Sequence, residues 1–194
     1  MLDDDLRFAT RISPDNWHLR KIRGKELIPE FERIEEKLGP EFPHVGFGQR
    51  WCNNWLAQVG WQSPGKMICA LAYYLPIVVR ECQFDLVELG EDLSVSLQLL
   101  LKGFPNAIWT ATVIDQLPHA VGGCSTYRTV EMSIAEAEKL ARLYPGYVSV
   151  VARAYNSVPP TKVIVRWQKA LEDGQRNQRS QVRFRRQSAK EEKR

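Results

Sequence analysis

Residues 124–168 read CSTYRTVEMSIAEAEKLARLYPGYVSVVARAYNSVPPTKVIVRWQ, and the division of this stretch into strand and helix decides the fold. Ser125–Met132 (STYRTVEM) is rich in Thr, Tyr and Val and reads as a strand. Ser133 stands where an N-cap belongs, and Glu136 lies three residues on, the spacing of a capping box. The helix it opens gathers Ile134, Ala137, Leu140 and Ala141 on one face and runs to about Leu143, ahead of Pro145-Gly146. Two β-branched runs follow, Tyr147–Asn156 and Thr161–Gln168, parted by Ser157-Val158-Pro159-Pro160. Two prolines cannot continue a paired strand, so the runs are expected to form an antiparallel hairpin that turns there.

With Asn156 opposite Thr161, alternation puts Val163, Val165 and Trp167 on one apolar face, together with Val150, Ala152 and Ala154. The other face then carries Arg153, Tyr155, Lys162 and Arg166. Cations interleaved with an aromatic suit nucleic acid, because the charges meet phosphate and the ring stacks on a base. The plain alternative is a solvated sheet face. Read as a helix instead, Val148, Val151, Ala152 and Tyr155 share one side, and Arg128–Val158 then resembles a ribbon-helix-helix DNA-binding unit. That resemblance implies a strand laid against DNA, where Glu131 would repel phosphate.

The charge is lopsided. The net value of +4 combines a C-terminal part, residues 151–194, with 12 Lys/Arg against 4 Asp/Glu, and a remainder with 15 against 19. A cationic end on an otherwise acidic chain points to a localised anionic partner. Residues 174–194 hold eight Lys/Arg, two Glu and only Val182 and Phe184 as sizeable apolar side chains, so the segment reads as a flexible basic tail. Arg176, Arg179, Arg183, Arg185 and Arg186, set around Phe184, match an arginine-rich segment that orders on nucleic acid. A solubilising end is the competing meaning of the same residues.

Upstream, Ser13-Pro14-Asp15 reads as a helix start and Gly24 as its stop. Glu26–Leu38 is a second helix with Leu27, Phe31, Ile34 and Leu38 in a stripe. Glu41–Gly48 reads as a loop, and Gln49–Val59 as a helix with Trp51, Trp55 and Val59 on one side. Trp51, Trp55 and Trp61 fit a ligand pocket or, more simply, core packing. The apolar run MICALAYYLPIVV reads as a buried helix interrupted at Pro76. Leu93–Leu99 alternates with a period of two and reads as a strand paired with Asp85–Leu89, although Leu93, Leu97, Leu100 and Leu101 also fit a helix to Lys102. Ala107–Ile114 reads as a strand.

The expected fold is therefore α+β: a helical N-terminal region packed on an antiparallel β-sheet with one crossing helix, then the basic tail. Residues 1–173 form one domain, helical over 13–80 and β-rich over 83–169, and 174–194 form the tail. The acidic start lacks the apolar core of a signal peptide, and Met67–Val79 falls short of the roughly 18 apolar residues of a membrane span. Cys52, Cys69, Cys82 and Cys124 make no CxxC pair, so free thiols, a cytoplasmic location, and neither metal nor cofactor are expected. Cys52, near the start of a helix, and His119, with Asp115 to orient it, form the candidate pair for a Cys/His hydrolase. A buried cysteine and a loop histidine are the commoner meaning. The favoured function is non-enzymatic binding of DNA or RNA, as a regulator or as an accessory subunit of a nucleoprotein assembly. The alternatives are a protein–protein assembly subunit with an incidental tail, and the hydrolase.

Overall fold

Leu93-Ser94-Val95-Ser96-Leu97 alternates like a strand, yet this segment is the central helix of the protein. A computed structural model describes residues 6–13, 16–50, 59–116, 129–153 and 160–191. In it, α3 (Glu91–Leu101) buries Ser94, Val95, Ser96, Leu97, Leu99 and Leu100. A helix enclosed on nearly every side has no polar face to betray its period. Its two buried hydroxyls both find partners: Ser94 Oγ lies 2.7 Å from the Tyr144 hydroxyl, and Ser96 Oγ lies 3.2 Å from His44 Nδ1.

On one side of α3 stands a six-stranded sheet. Its strands are β1 (Leu6–Ser13), β2 (Asn16–Ile22), β3 (His44–Gln49), β4 (Trp61–Gln62), β5 (Leu71–Tyr73) and β6 (Asn106–Gln116). The order is β2-β1-β6-β3-β5, with β4 also paired to β6. The sheet is mixed, since β3 and β6 run parallel and the other pairs antiparallel. This corrects the expected all-antiparallel sheet. It also corrects the expected helical N-terminal region: β1 and β2 pair antiparallel, and the segments expected as a loop over 41–48 and a buried helix after Met67 supply β3 and β5. Of that apolar run only α2 (Leu75–Glu81) is helical, with Pro76 in its first turn where a missing N–H costs nothing.

The two glycines of HVGFGQ suggested a loop, but a close approach explains Gly46. A Cβ there would stand 2.6 Å from the Ala70 carbonyl oxygen. Phe31 and Ile34 of the expected helical stripe lie on α1 (Ile28–Lys37), and Leu38, its C-cap, packs into the same cluster. Phe8 of β1, Phe31 of α1 and Phe47 of β3 meet edge to face, with centroids 5.4–5.7 Å apart. The Glu30 carboxylate accepts from Trp109 Nε1 and Thr112 Oγ1, both at 2.7 Å, and so fastens α1 to β6.

The far side of α3 carries the C-terminal elements. α4 (Val130–Leu143) begins four residues earlier than the Ser133 cap predicts. Thr129 caps it by accepting from the Met132 amide, so Val130–Met132 are helical, not strand. Ser133 instead donates to the Thr129 carbonyl. β7 (Val148–Ala152) and β8 (Thr161–Val165) pair antiparallel, which removes the helix required by the ribbon-helix-helix alternative. Their register differs from the expected one: Thr161 lies opposite Ala152 rather than Asn156. The shift is even, so Val148, Val150, Val163 and Val165 keep the inward face. β8 ends at Val165, and α5 (Trp167–Glu191) follows and carries Ala170 and Leu171 into the core beneath α3.

Residues 174–191, expected as a flexible tail, continue α5 as helix. Gly174 is buried and marks where α5 crosses α3; a Cβ on it would lie 2.1 Å from the Leu100 carbonyl oxygen. In an open helix, Gly→Ala gains roughly 1 kcal/mol. At this crossing Gly174→Ala is expected to cost about 1–3 kcal/mol instead. Urea unfolding checks it, and a midpoint at or above that of the parent protein would refute the crossing.

His44 gives a second test. It is fully buried and stacked on Tyr73, and burial alone lowers its pKa from 6.5 to about 3. The unfolded chain takes up a proton below pH 6.5 that the folded protein refuses, so stability is full above pH 6.5 and declines as pH falls towards 3. The expected slope is about 1.4 kcal/mol per pH unit in that window. Unfolding at pH 7 and pH 5 should show about 2 kcal/mol less pH dependence in His44→Gln than in the parent; equal pH dependence would contradict the assignment.

Candidate nucleic-acid interface

The order of residues along α5 determines what it shows to solvent. Ala170, Leu171, Gly174 and Gln178 share one side, and the first three are buried against the body. Arg176, Arg179 and Arg183 recur at three and four residues on the opposite side. With Glu172, Gln175 and Ser180 they line one open depression along the helix. Every residue from Arg176 to Arg183 is exposed, so the helix leaves the body about one turn after Gly174 and continues as an arm.

The base of the arm is fixed by a small polar knot. Lys169 Nζ donates to Asp173 Oδ2 at 2.9 Å, the Tyr147 hydroxyl donates to the same oxygen at 3.0 Å, and Lys169 lies 4.1 Å from the centre of the Tyr147 ring. Lys169 chiefly, then Tyr147, holds the Asp173 carboxyl below the usual range. Arg176 reaches the other Asp173 oxygen at 3.6 Å, which occupies it in part. Arg179 and Arg183 lie farther out, past both acidic residues of the helix base.

The hairpin face is less basic than its sequence suggested. In the observed register Val151 and Ile164, both exposed, share it with Lys162. Arg153 follows β7, and its amide donates to the Pro160 carbonyl. Arg166 lies at the junction of β8 and α5, its amide bound to the Tyr147 carbonyl. All three cations are exposed, whereas Tyr155 lies outside the described residues. Phe184, Arg185 and Arg186 lie on the α5 backbone, with side chains outside the described set.

The hydrolase pair, Cys52 and His119, also falls outside the described residues. Among the described thiols, Cys82 is pushed up to about 11 by burial, the opposite of an activated nucleophile. His44 is a core histidine whose Nε2 meets no partner among the described residues. Trp61 packs on Trp109 in the sheet cluster, at 5.1 Å between centroids. Among the described residues no group of three His, Cys, Asp or Glu gathers to hold a metal ion, and no helix is long and apolar enough to cross a membrane.

Comparisons with protein-family models, with curated proteins and with solved structures give no match. The sequence reading missed that the basic segment is helical. The signal was its spacing: Arg176, Arg179, Arg183, Arg186 and Lys190 repeat at three and four residues, the period of one helix face. Because the described arginines of this stripe are exposed, Arg176→Ala, Arg179→Ala and Arg183→Ala should each move stability by no more than about 0.5 kcal/mol. Thermal unfolding tests this, and a loss of several degrees would show that the stripe packs rather than projects.

Proposed function

We propose that the protein binds nucleic acid, without catalysis, as a regulator or as an accessory subunit of a nucleoprotein assembly. The observation that carries this reading is the arginine stripe on the outward side of α5, held clear of the body by the Gly174 crossing. Guanidinium groups form forked bonds to phosphate oxygens and stay charged at any physiological pH. Arg153, Lys162 and Arg166 add exposed positive charge before the start of α5.

A second reading rests on a different surface. Leu75 and Val79, four residues apart on α2, are 62% and 71% exposed. Adjacent large apolar side chains in water favour a protein partner. The two readings are compatible in a subunit of an assembly, and they separate by substitution.

Fluorescence anisotropy on mixed-sequence nucleic acid at several salt concentrations tests the first. Affinity should fall steeply with salt, at a log–log slope of about −0.9 for each phosphate neutralised on a duplex. The combined Arg176→Ala, Arg179→Ala, Arg183→Ala variant should bind weakly and flatten the slope by about 2 to 3. A variant that binds as the parent does, or a parent that fails to bind even at low salt, would sink the reading. Leu75→Ser with Val79→Ser should leave this binding unchanged.

A further inference from the structure

Resting on the nucleic-acid reading, we infer that Trp61 and Trp109, with Arg33 and Lys37 beside them, form a shelf on which an unpaired nucleobase stacks. The six-stranded sheet then holds a single strand by its bases, at a place separate from the arginines of α5. The geometry starts at the sheet edge. Among the described residues β4 pairs with β6 alone, and Trp61 stands directly opposite Trp109. Their ring centroids are 5.1 Å apart, with the planes inclined by 48°. On the other side of Trp109 lies Phe47, which α1 roofs through Phe31. Trp109, Trp61 and Phe42 continue the aromatic row past that roof, and all three stay partly exposed. A row of rings open to solvent on a sheet is a stacking platform, since every base has a flat π-face.

The charges of α1 are sorted around this row. Arg33 and Lys37, four residues apart, both turn to it. The Arg33 guanidinium carbon lies 5.3 Å from the centre of the Trp109 ring, and Lys37 Nζ lies 3.8 Å from the centre of Phe42 and 5.9 Å from that of Trp61. Glu30 shares the flank and lies 3.9 Å from Arg33, but one of its oxygens is engaged by Trp109 Nε1 and Thr112 Oγ1. Glu32, Glu35 and Glu36 are exposed on the rest of the helix.

That sorting selects the ligand. Two cations on the rings repel a cationic guest, such as the quaternary ammonium that aromatic cages take. They favour a flat ring with an anion attached, and a nucleotide has both. The Arg33 side chain is 52% exposed, so it is free to swing from the ring to a phosphate. A cation resting on an exposed ring is held weakly, and its charge-assisted bond to phosphate is stronger. In a duplex the base faces are already stacked on one another, whereas single strands splay theirs onto aromatic side chains.

The test uses the full chain and two labelled single strands of equal length and charge, one of oligothymidine and one with an abasic sugar-phosphate backbone. Fluorescence anisotropy should give oligothymidine an affinity about tenfold above that of the abasic strand. Trp61→Phe should keep that preference and Trp61→Leu should erase it, with both variants unfolding in urea near the parent midpoint. Arg33→Ala with Lys37→Ala should flatten the salt slope by about 1.4, at about 0.7 for each phosphate on a single strand. The Arg176→Ala, Arg179→Ala, Arg183→Ala variant should weaken both strands alike and leave their ratio unchanged. Equal affinity of the parent for the two strands overturns the shelf and leaves the nucleic-acid reading standing. A preference that survives Trp61→Leu, one lost with the α5 arginines, or a slope indifferent to Arg33 and Lys37 overturns the shelf as well. Failure of both strands to bind at low salt removes both readings.

Discussion

The burial of α3 on all sides is the constraint from which the architecture follows. A helix with Leu97 and Leu100 turned to one cluster and Val95 and Leu99 to another must be covered twice. The sheet and α2 cover it from one direction, and α4, the β7–β8 hairpin and α5 from the other. Each buried hydroxyl on α3 then acts as a register pin. Ser94 meets Tyr144 at the end of α4, and Ser96 meets His44 at the start of the inner strand β3. A buried polar group without a partner costs roughly 1–3 kcal/mol, so sliding α3 along either neighbour would strand one of them.

That constraint also explains which parts of the fold the sequence disclosed. Patterning is informative where an element has one wet face and one dry face, as in α1 and in the hairpin, whose inward valines were legible even though their register was not. It misleads where an element is dry all round. In α3 the serines fell at alternate positions because two separate partners needed them, and the result imitated a strand. β3 was lost for a related reason: Gly46 is there because the Ala70 carbonyl approaches too closely for a side chain, and glycine reads as a turn when the neighbour is unseen.

The candidate site was legible in composition and not in form. The arginines of the last twenty residues were conspicuous, but an apolar-poor segment has no core of its own, and disorder is its ordinary meaning. Two features made it helix here. Ala170 and Leu171 bury the first turns and supply the nucleus that an isolated helix lacks. Gly174, which looked like the end of the domain, is the contact that lets α5 lie against α3 at all. The spacing of the arginines carried the helical period, but the contacts that anchor the helix lie in the interior of the protein and not in the segment.

Beyond the crossing, the arm has local terms of both signs. Arg179 and Arg183 are four residues apart, and like charges at that spacing destabilise a helix by a few tenths of a kcal/mol. Acidic residues near the start of α5 and basic ones towards its end favour the helix dipole and offset part of that repulsion. No apolar contact in the described part of the arm makes up the rest, since Val182 is itself half exposed. The helix is thus marginal where its charge is greatest, and the term that would settle it is an external row of negative charge. A polyanion docked along the stripe turns mutual repulsion into attraction at every arginine it meets. Under the proposed function, folding of the distal arm and binding form one linked equilibrium, anchored at Gly174.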